Sequence, residues 1–120
     1  MLDFGNFSVS LNVKDVSTSQ DFYQKLGFKV IDGGHTSEVY PDKEGERWRI
    51  MQKDNVNIGL FEGMFDFNIM TFNPPDVRAI QKKLKDEGIE LEKEANMEKT
   101  GADFITLQDP DGNHIMFDQW

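Results

Sequence analysis

Asp109-Pro110-Asp111-Gly112-Asn113 lies between two alternating apolar runs, Phe104-Ile105-Thr106-Leu107 before it and Ile115-Met116-Phe117 after it. Pro110 sets one backbone angle, Gly112 supplies a positive φ, and the flanking Asp and Asn side chains bond nearby backbone. The stretch predicts a β-hairpin closed by a tight turn. Its weight comes from the elements before it, because they occur twice.

Immediately upstream, Phe65 to Phe72 reads as a strand, and Pro74-Pro75 opens a helix where missing N–H groups cost nothing. Val77, Ile80 and Leu84 form the apolar stripe of that helix, Lys82, Lys83 and Lys85 its solvated face, and Gly88 its stop. A short strand over Ile89 to Leu91 and a polar connection lead to the hairpin strands, 102–107 and 113–117. In the first half, Phe7 to Val13 alternates, with Val9, Leu11 and Val13 on one face and Ser8, Ser10 and Asn12 on the other. Ser17 and Gln20 read as a capping box, ahead of a helix carrying Phe22 and Leu26 and stopped by Gly27. Phe28 to Ile31 is a strand ended by Asp32-Gly33-Gly34. A long polar loop, His35 to Glu46, precedes strands at Trp48 to Met51 and Val56 to Phe61. Each half therefore reads β-α-β-β-β, about 5–62 and about 65–120, in one α+β domain over 1–120. A repeated unit that cannot bury its own sheet face packs against its twin or another chain, so a homodimer is expected.

Composition narrows the partners. The net charge of −9 repels phosphate backbones and anionic lipid, so neither nucleic acid nor membrane is expected. The absence of cysteine removes disulfides, thiol nucleophiles and thiolate metal sites together. Met1-Leu2-Asp3-Phe4 has no basic region followed by a long apolar run, and the expected location is the cytoplasm. No Ser–His–Asp spacing, phosphate-cradling glycine loop or paired-carboxylate motif is present.

Taken in order, Leu11-Asn12-Val13-Lys14-Asp15-Val16, Ser19 to Phe22-Tyr23, Leu26-Gly27-Phe28 and Asp109-Pro110-Asp111-Gly112-Asn113 resemble the vicinal oxygen chelate superfamily. That superfamily includes glyoxalase I, bleomycin-binding proteins and extradiol dioxygenases. The resemblance implies two βαβββ modules whose sheets curl into an open cup, helices outside and ligand inside. It also implies four metal-ligand positions, which fall here on Ser8, Gly59, Phe67 and Met116. None offers the imidazole or carboxylate donor that a divalent ion needs. No metal and no cofactor is expected, and the chain is closest in character to the metal-free bleomycin-binding type.

Alternation then supplies a cup lining of Ser8, Ser10, Asn12, Asn57, Gly59, Phe61, Phe67, Ile69, Thr71 and Met116. Cross-strand pairing of Trp48 with Phe61 and of Ile50 with Gly59 adds Trp48. Phe104 and Thr106 join if Ile105 and Leu107 meet the helix. The expected function is metal-independent binding of a small aromatic or cationic molecule, of the sequestration or resistance type. Trp48 and Phe67, taken from different modules, are expected to face each other, with Gly59 leaving room for a ring. The aromatic residues serve equally as plain packing. His114, with Asp118 further along the same face, suits acid–base chemistry, hence a glyoxalase-like lyase or isomerase as alternative. The bland reading of His114 is a polar residue at a strand start. A protein-interaction module is the third alternative.

Overall fold

The computed structural model describes residues 2–120. Its elements are β1 (Asn6–Val13), α1 (Val16–Lys25), β2 (Lys29–Gly33), β3 (Arg47–Lys53), β4 (Val56–Glu62), β5 (Ile69–Asn73), α2 (Val77–Asp86), β6 (Asp103–Gln108) and β7 (His114–Gln119). The fold is α+β, as the sequence predicts. The chain forms a first unit, Ser8–Asn68, and a second unit made of the residues up to Phe7 together with Ile69–Trp120.

In the first unit the strand order is β2-β3-β4-β1, with β1 parallel to β4 and the other pairs antiparallel. The expected pairing of Trp48 with Phe61 and of Ile50 with Gly59 is observed. Residues sharing a face with Leu11, Met51, Ile58 and Leu60 pack on Val16 and Tyr23 of α1 and form the core. The opposite face carries Ser10, Asn12, Trp48, Ile50, Gly59 and Phe61. Polar residues therefore alternate with apolar ones along β1 because only one of its faces meets the helix.

The capping box is corrected. Asp15, rather than Ser17, caps α1, its carboxylate accepting from the Ser17 and Thr18 backbone N–H groups at 2.9 and 3.3 Å. A carboxylate two residues earlier satisfies the first orphan donors of the helix, so the hydroxyl is not needed. The next donor, Val16 N–H, goes to Glu62 Oε1 at 2.9 Å. Glu62 is 8% exposed and also takes a two-point contact from Arg47, Nη2 to Oε1 at 2.7 Å and Nε to Oε2 at 3.1 Å. These bonds, the guanidinium contact foremost, hold the Glu62 carboxyl below the usual glutamate range.

In the second unit the order is β5-β7-β6, with β5 parallel and β6 antiparallel to β7. Ile105, Leu107 and Phe117 pack with Val77 and Ile80 of α2. The helix begins after its cap Asp76, so Pro74-Pro75 precedes the helix rather than forming its first turn. The short strand expected at Ile89–Leu91 does not form; what remains is one bridge between Lys93 and Thr106. Ile89 N–H is drawn back to the Leu84 carbonyl of α2 at 3.0 Å, and the connection further on is tied at Ala95 by the side chain of buried Gln81. Its Oε1 accepts from Ala95 N–H at 2.6 Å and its Nε2 donates to the Ala95 carbonyl at 3.3 Å. Asp103 pins the rest of the segment, accepting from Lys93 Nζ at 2.7 Å and Asn96 N–H at 2.9 Å. β5 starts at Ile69, not Phe65, because the Gly63–Asn68 stretch bends. The N-terminal residues join this unit through aromatic packing, with Phe4 edge-on to Phe72 and Phe117 at 5.2 and 4.8 Å.

The duplication survives at the level of single bonds. Each helix has an Asp cap followed by Val, and the N–H of that Val is bonded by a side chain at the end of the unit's final strand. Glu62 accepts from Val16 N–H, and Gln119 Oε1 accepts from Val77 N–H at 2.9 Å.

Because the folded-state pKa of Glu62 is depressed, its contribution is complete above the unfolded value and is lost as pH falls through the folded one. Glu62→Gln is expected to cost about 1 kcal/mol at pH 7, a figure reduced for the partly exposed guanidinium. Thermal melts of both proteins should converge in acid, once the pH falls below the depressed folded-state value of Glu62. An undiminished gap in acid would contradict this role.

Candidate functional site: the sheet faces turned away from the helices

The first unit presents an aromatic row on the face opposite α1. Trp48 stacks parallel to Phe61 with centroids 6.3 Å apart, Phe61 meets Phe65 at 5.2 Å, and Phe65 stacks on Phe67 at 6.4 Å. Phe67 is 43% exposed, and Trp48, Phe61 and Phe65 are half-buried, so the row runs from the sheet out to solvent. Phe67 lies in the bend between β4 and β5 and belongs to the same unit as Trp48. The expectation that these two face each other from different modules is therefore corrected: Phe61 and Phe65 link them into one row. Phe65 was not singled out in the sequence, although Phe at 61, 65 and 67 is a visible clustering.

Trp48 is held from behind. Its indole Nε1–H donates to the Tyr40 carbonyl at 2.8 Å, and its backbone N–H donates to Asp42 Oδ1 at 3.2 Å. Asp42 in turn pairs with Arg49, Nη1 to Oδ2 at 2.8 Å. A side chain at Gly34 would meet the Asp42 carboxylate, so glycine there is what lets the loop close on β3. With the N–H engaged, Trp48 offers a ligand its ring rather than a hydrogen bond. The long loop thus positions the site, while its His35 is exposed.

Gly59 is buried, and a Cβ built on it would run into the Phe61 ring, with Ile50 Cδ1 at 3.4 Å. The space expected for a ligand ring is filled by the protein's own phenylalanine. Around it, Ser10 is 2% exposed, Ser8 and Asn57 are half-buried, and Asn12 is exposed. Gln52 Nε2 donates to Asn57 Oδ1 at 2.8 Å, and Asn12 N–H donates to Asn68 Oδ1 at 2.9 Å. The expected polar fringe of the face is present.

In the second unit, Ile105 and Leu107 do meet the helix, which puts Phe104 and Thr106 on the opposite face. Register aligns Thr71 and Thr106 with Met116, and Phe104 with Asp118. Phe104 is 40% exposed, and Lys93 Nζ sits 3.8 Å from its ring centroid. His114 and Asp118 share this face but are four residues apart, about 13 Å along an extended strand. They cannot form a hydrogen-bonded acid–base pair. Burial raises the Asp118 carboxyl above the usual aspartate range, an effect the Lys93 charge partly offsets.

The four positions that the resemblance makes metal-bearing do not fit a divalent ion. Ser8 and Gly59 lie on β1 and β4, Phe67 in a bend, and Met116 on β7, none with a nitrogen or carboxylate donor. Among the described residues, no three His, Asp or Glu side chains gather in a way that could hold a metal. No described helix is long and apolar enough to cross a membrane.

Residues 7–117 match the model of the family described as Glyoxalase/Bleomycin resistance protein/Dioxygenase superfamily. Among solved structures, a superfamily member from Vibrio splendidus 12B01 is 19% identical with a TM-score of 0.64, covering 100% of both chains. Methylmalonyl-CoA epimerase from Mycobacterium tuberculosis is 15% identical with a TM-score of 0.69, over 99% of this chain and 92% of that one. A hypothetical protein from Bacillus halodurans C-125 is 14% identical with a TM-score of 0.70, over 100% of this chain and 94% of that one. No curated protein matched in sequence. Identities this low speak for a shared fold alone, whereas the family model spans nearly the whole chain. The repeated β-α units, the Asp-capped helices and that match together make this chain a member of the glyoxalase/bleomycin resistance/dioxygenase superfamily.

Proposed function

We propose that the chain is a metal-independent binding protein that sequesters a small, aromatic molecule on the sheet face opposite α1. The observation that carries this reading is the row Trp48–Phe61–Phe65–Phe67, graded from half-buried to exposed and bordered by Ser8, Ser10, Asn12 and Asn57. A row that grades outward offers ring faces to a solute, which a purely structural cluster would bury. The ligand-poor residues at the metal positions support the same reading, since the superfamily's Lewis-acid chemistry needs donors that Ser8, Gly59, Phe67 and Met116 do not supply. A cytoplasmic location and a two-fold dimer belong to the same proposal. Phe22, Leu26 and Ile31, between 53% and 57% exposed, are the apolar residues that support pairing with a second chain.

Binding of 2-naphthol, a neutral ring probe, is expected to weaken about tenfold or more in Trp48→Ala, through lost stacking and lost buried area. Gly59→Ala should weaken it as well, because the new methyl drives the Phe61 ring off Trp48. Fluorescence titration of each variant, with circular dichroism to verify the fold, measures this; wild-type affinity in both would remove the row from the site.

Elemental analysis after purification in medium supplemented with Zn, Ni, Fe and Mn should find well under one metal per chain. A near-integral content, lost on substitution at the four positions, would overturn the metal-independent reading.

Light scattering at micromolar concentrations should give twice the chain mass of 13.8 kDa. A monomer across that range would defeat the dimer.

A further inference from the structure

In the second unit, Asp118 carries a half-buried carboxylate that the fold does not bond. Asp118 lies on β7 directly across from Phe104 on β6, so the two side chains share the face opposite α2. Its backbone carbonyl accepts from Asn73 Nδ2 at 3.0 Å, but among the described residues its carboxylate accepts no hydrogen bond and joins no ion pair. The other carboxylate of this region is spent: Asp103 is bonded to Lys93 Nζ and to the Asn96 and Phe104 N–H groups. Lys93 is the cation facing Asp118, and it is equally committed. Its ammonium donates to Asp103 Oδ1 at 2.7 Å and to the Phe104 carbonyl at 2.8 Å, while lying over the Phe104 ring. No buried side-chain oxygen among the described residues lacks a partner, so the unbonded Asp118 carboxylate reaches solvent and is open to a ligand.

We propose that Asp118 and Phe104 form a subsite for a flat organic cation, such as an amidinium or a protonated ring nitrogen, whose N–H groups pair with the carboxylate while its plane lies along the exposed phenyl ring. The inference rests on the reading of these sheet faces as ligand-bearing and adds to it the charge of the ligand. Two considerations favour a cation over a neutral donor. A planar N–H fork matches both carboxylate oxygens and forms charge-assisted bonds roughly twice as strong as neutral ones. The net charge of −9 raises the local concentration of cations and disfavours anions. Thr106 and Met116, the next pair on the same face, border the subsite with one hydroxyl and one thioether.

Benzamidine and benzamide share a ring and a planar headgroup and differ in charge, which makes them suitable probes for the full chain. Backbone-amide NMR titration should show benzamidine binding about tenfold more tightly than benzamide. The shifts should centre on Phe104, Thr106 and Asp118. Asp118→Asn should abolish the preference, while Asp111→Asn, which removes the same charge from the exposed turn, should leave it intact. No benzamidine binding, equal binding of the two probes, or a preference that persists in Asp118→Asn would each overturn the proposal. The 2-naphthol response at Trp48, followed in the same samples, separates the failures. If it survives while the cation preference is absent, only this subsite falls; if it is absent, the aromatic-row reading falls.

Discussion

The fold depends on where the first N–H groups of each helix find acceptors. In the first unit that acceptor is Glu62, which joins three elements at one carboxylate: the start of α1 through Val16, β3 through Arg47, and its own strand β4. Arg47 also comes within 3.6 Å of the Asp15 cap, so the charge at the helix start is balanced locally. Placing a charged, hydrogen-bonded knot at the end of an otherwise apolar core fixes which side of the sheet the helix covers. Once α1 is committed to the side of Met51, Ile58 and Leu60, the side of Ser10, Gly59 and Phe61 is left without a helix. Gln119 does the same for α2 with a neutral amide, which makes that junction insensitive to acid.

What the faces turned away from the helices can do follows from the residues on them. Aromatic rings, hydroxyls and amides recognise shape, stacking and single hydrogen bonds; they neither polarise an oxygen pair nor hold a metal hydroxide. His114 and Asp118 are too far apart along β7 to pass a proton directly. Recognition is therefore the chemistry proposed for these faces. The loop before β3 contributes positioning: Tyr40, Asp42 and Arg49 hold Trp48 without entering the ring row themselves. Restraining a large side chain before a ligand arrives lowers the ordering cost of binding.

Much of the fold was legible in the sequence because local rules and tertiary packing agree. Alternation along Phe7 to Val13, the Val77, Ile80 and Leu84 stripe and the Asp-Pro-Asp-Gly-Asn turn each predict an element that forms. The mistakes cluster where one nearby bond takes the place of the expected one. Asp15 displaced Ser17 as cap, and Ile89 N–H returned to the Leu84 carbonyl of α2 instead of opening a strand at 89–91. The register that brings Trp48 beside Phe61 was readable from the hairpin. The position of Phe67 was not, because a bend after Gly63 takes it out of β5. The filling of the space over Gly59 by Phe61 was equally invisible, since periodicity gives the face of a side chain and not its rotamer.

The central claim is that the face opposite α1 binds an aromatic solute without a metal. A fragment screen on chelator-treated, isotope-labelled chain, read by backbone and indole NMR, addresses both halves at once. The account predicts saturable shifts from aromatic fragments at the Trp48 indole and at Phe61, Phe65 and Phe67, unchanged when divalent metal is restored. Fragments that bind only after metal is added, or that shift residues elsewhere while these four stay silent, would contradict it.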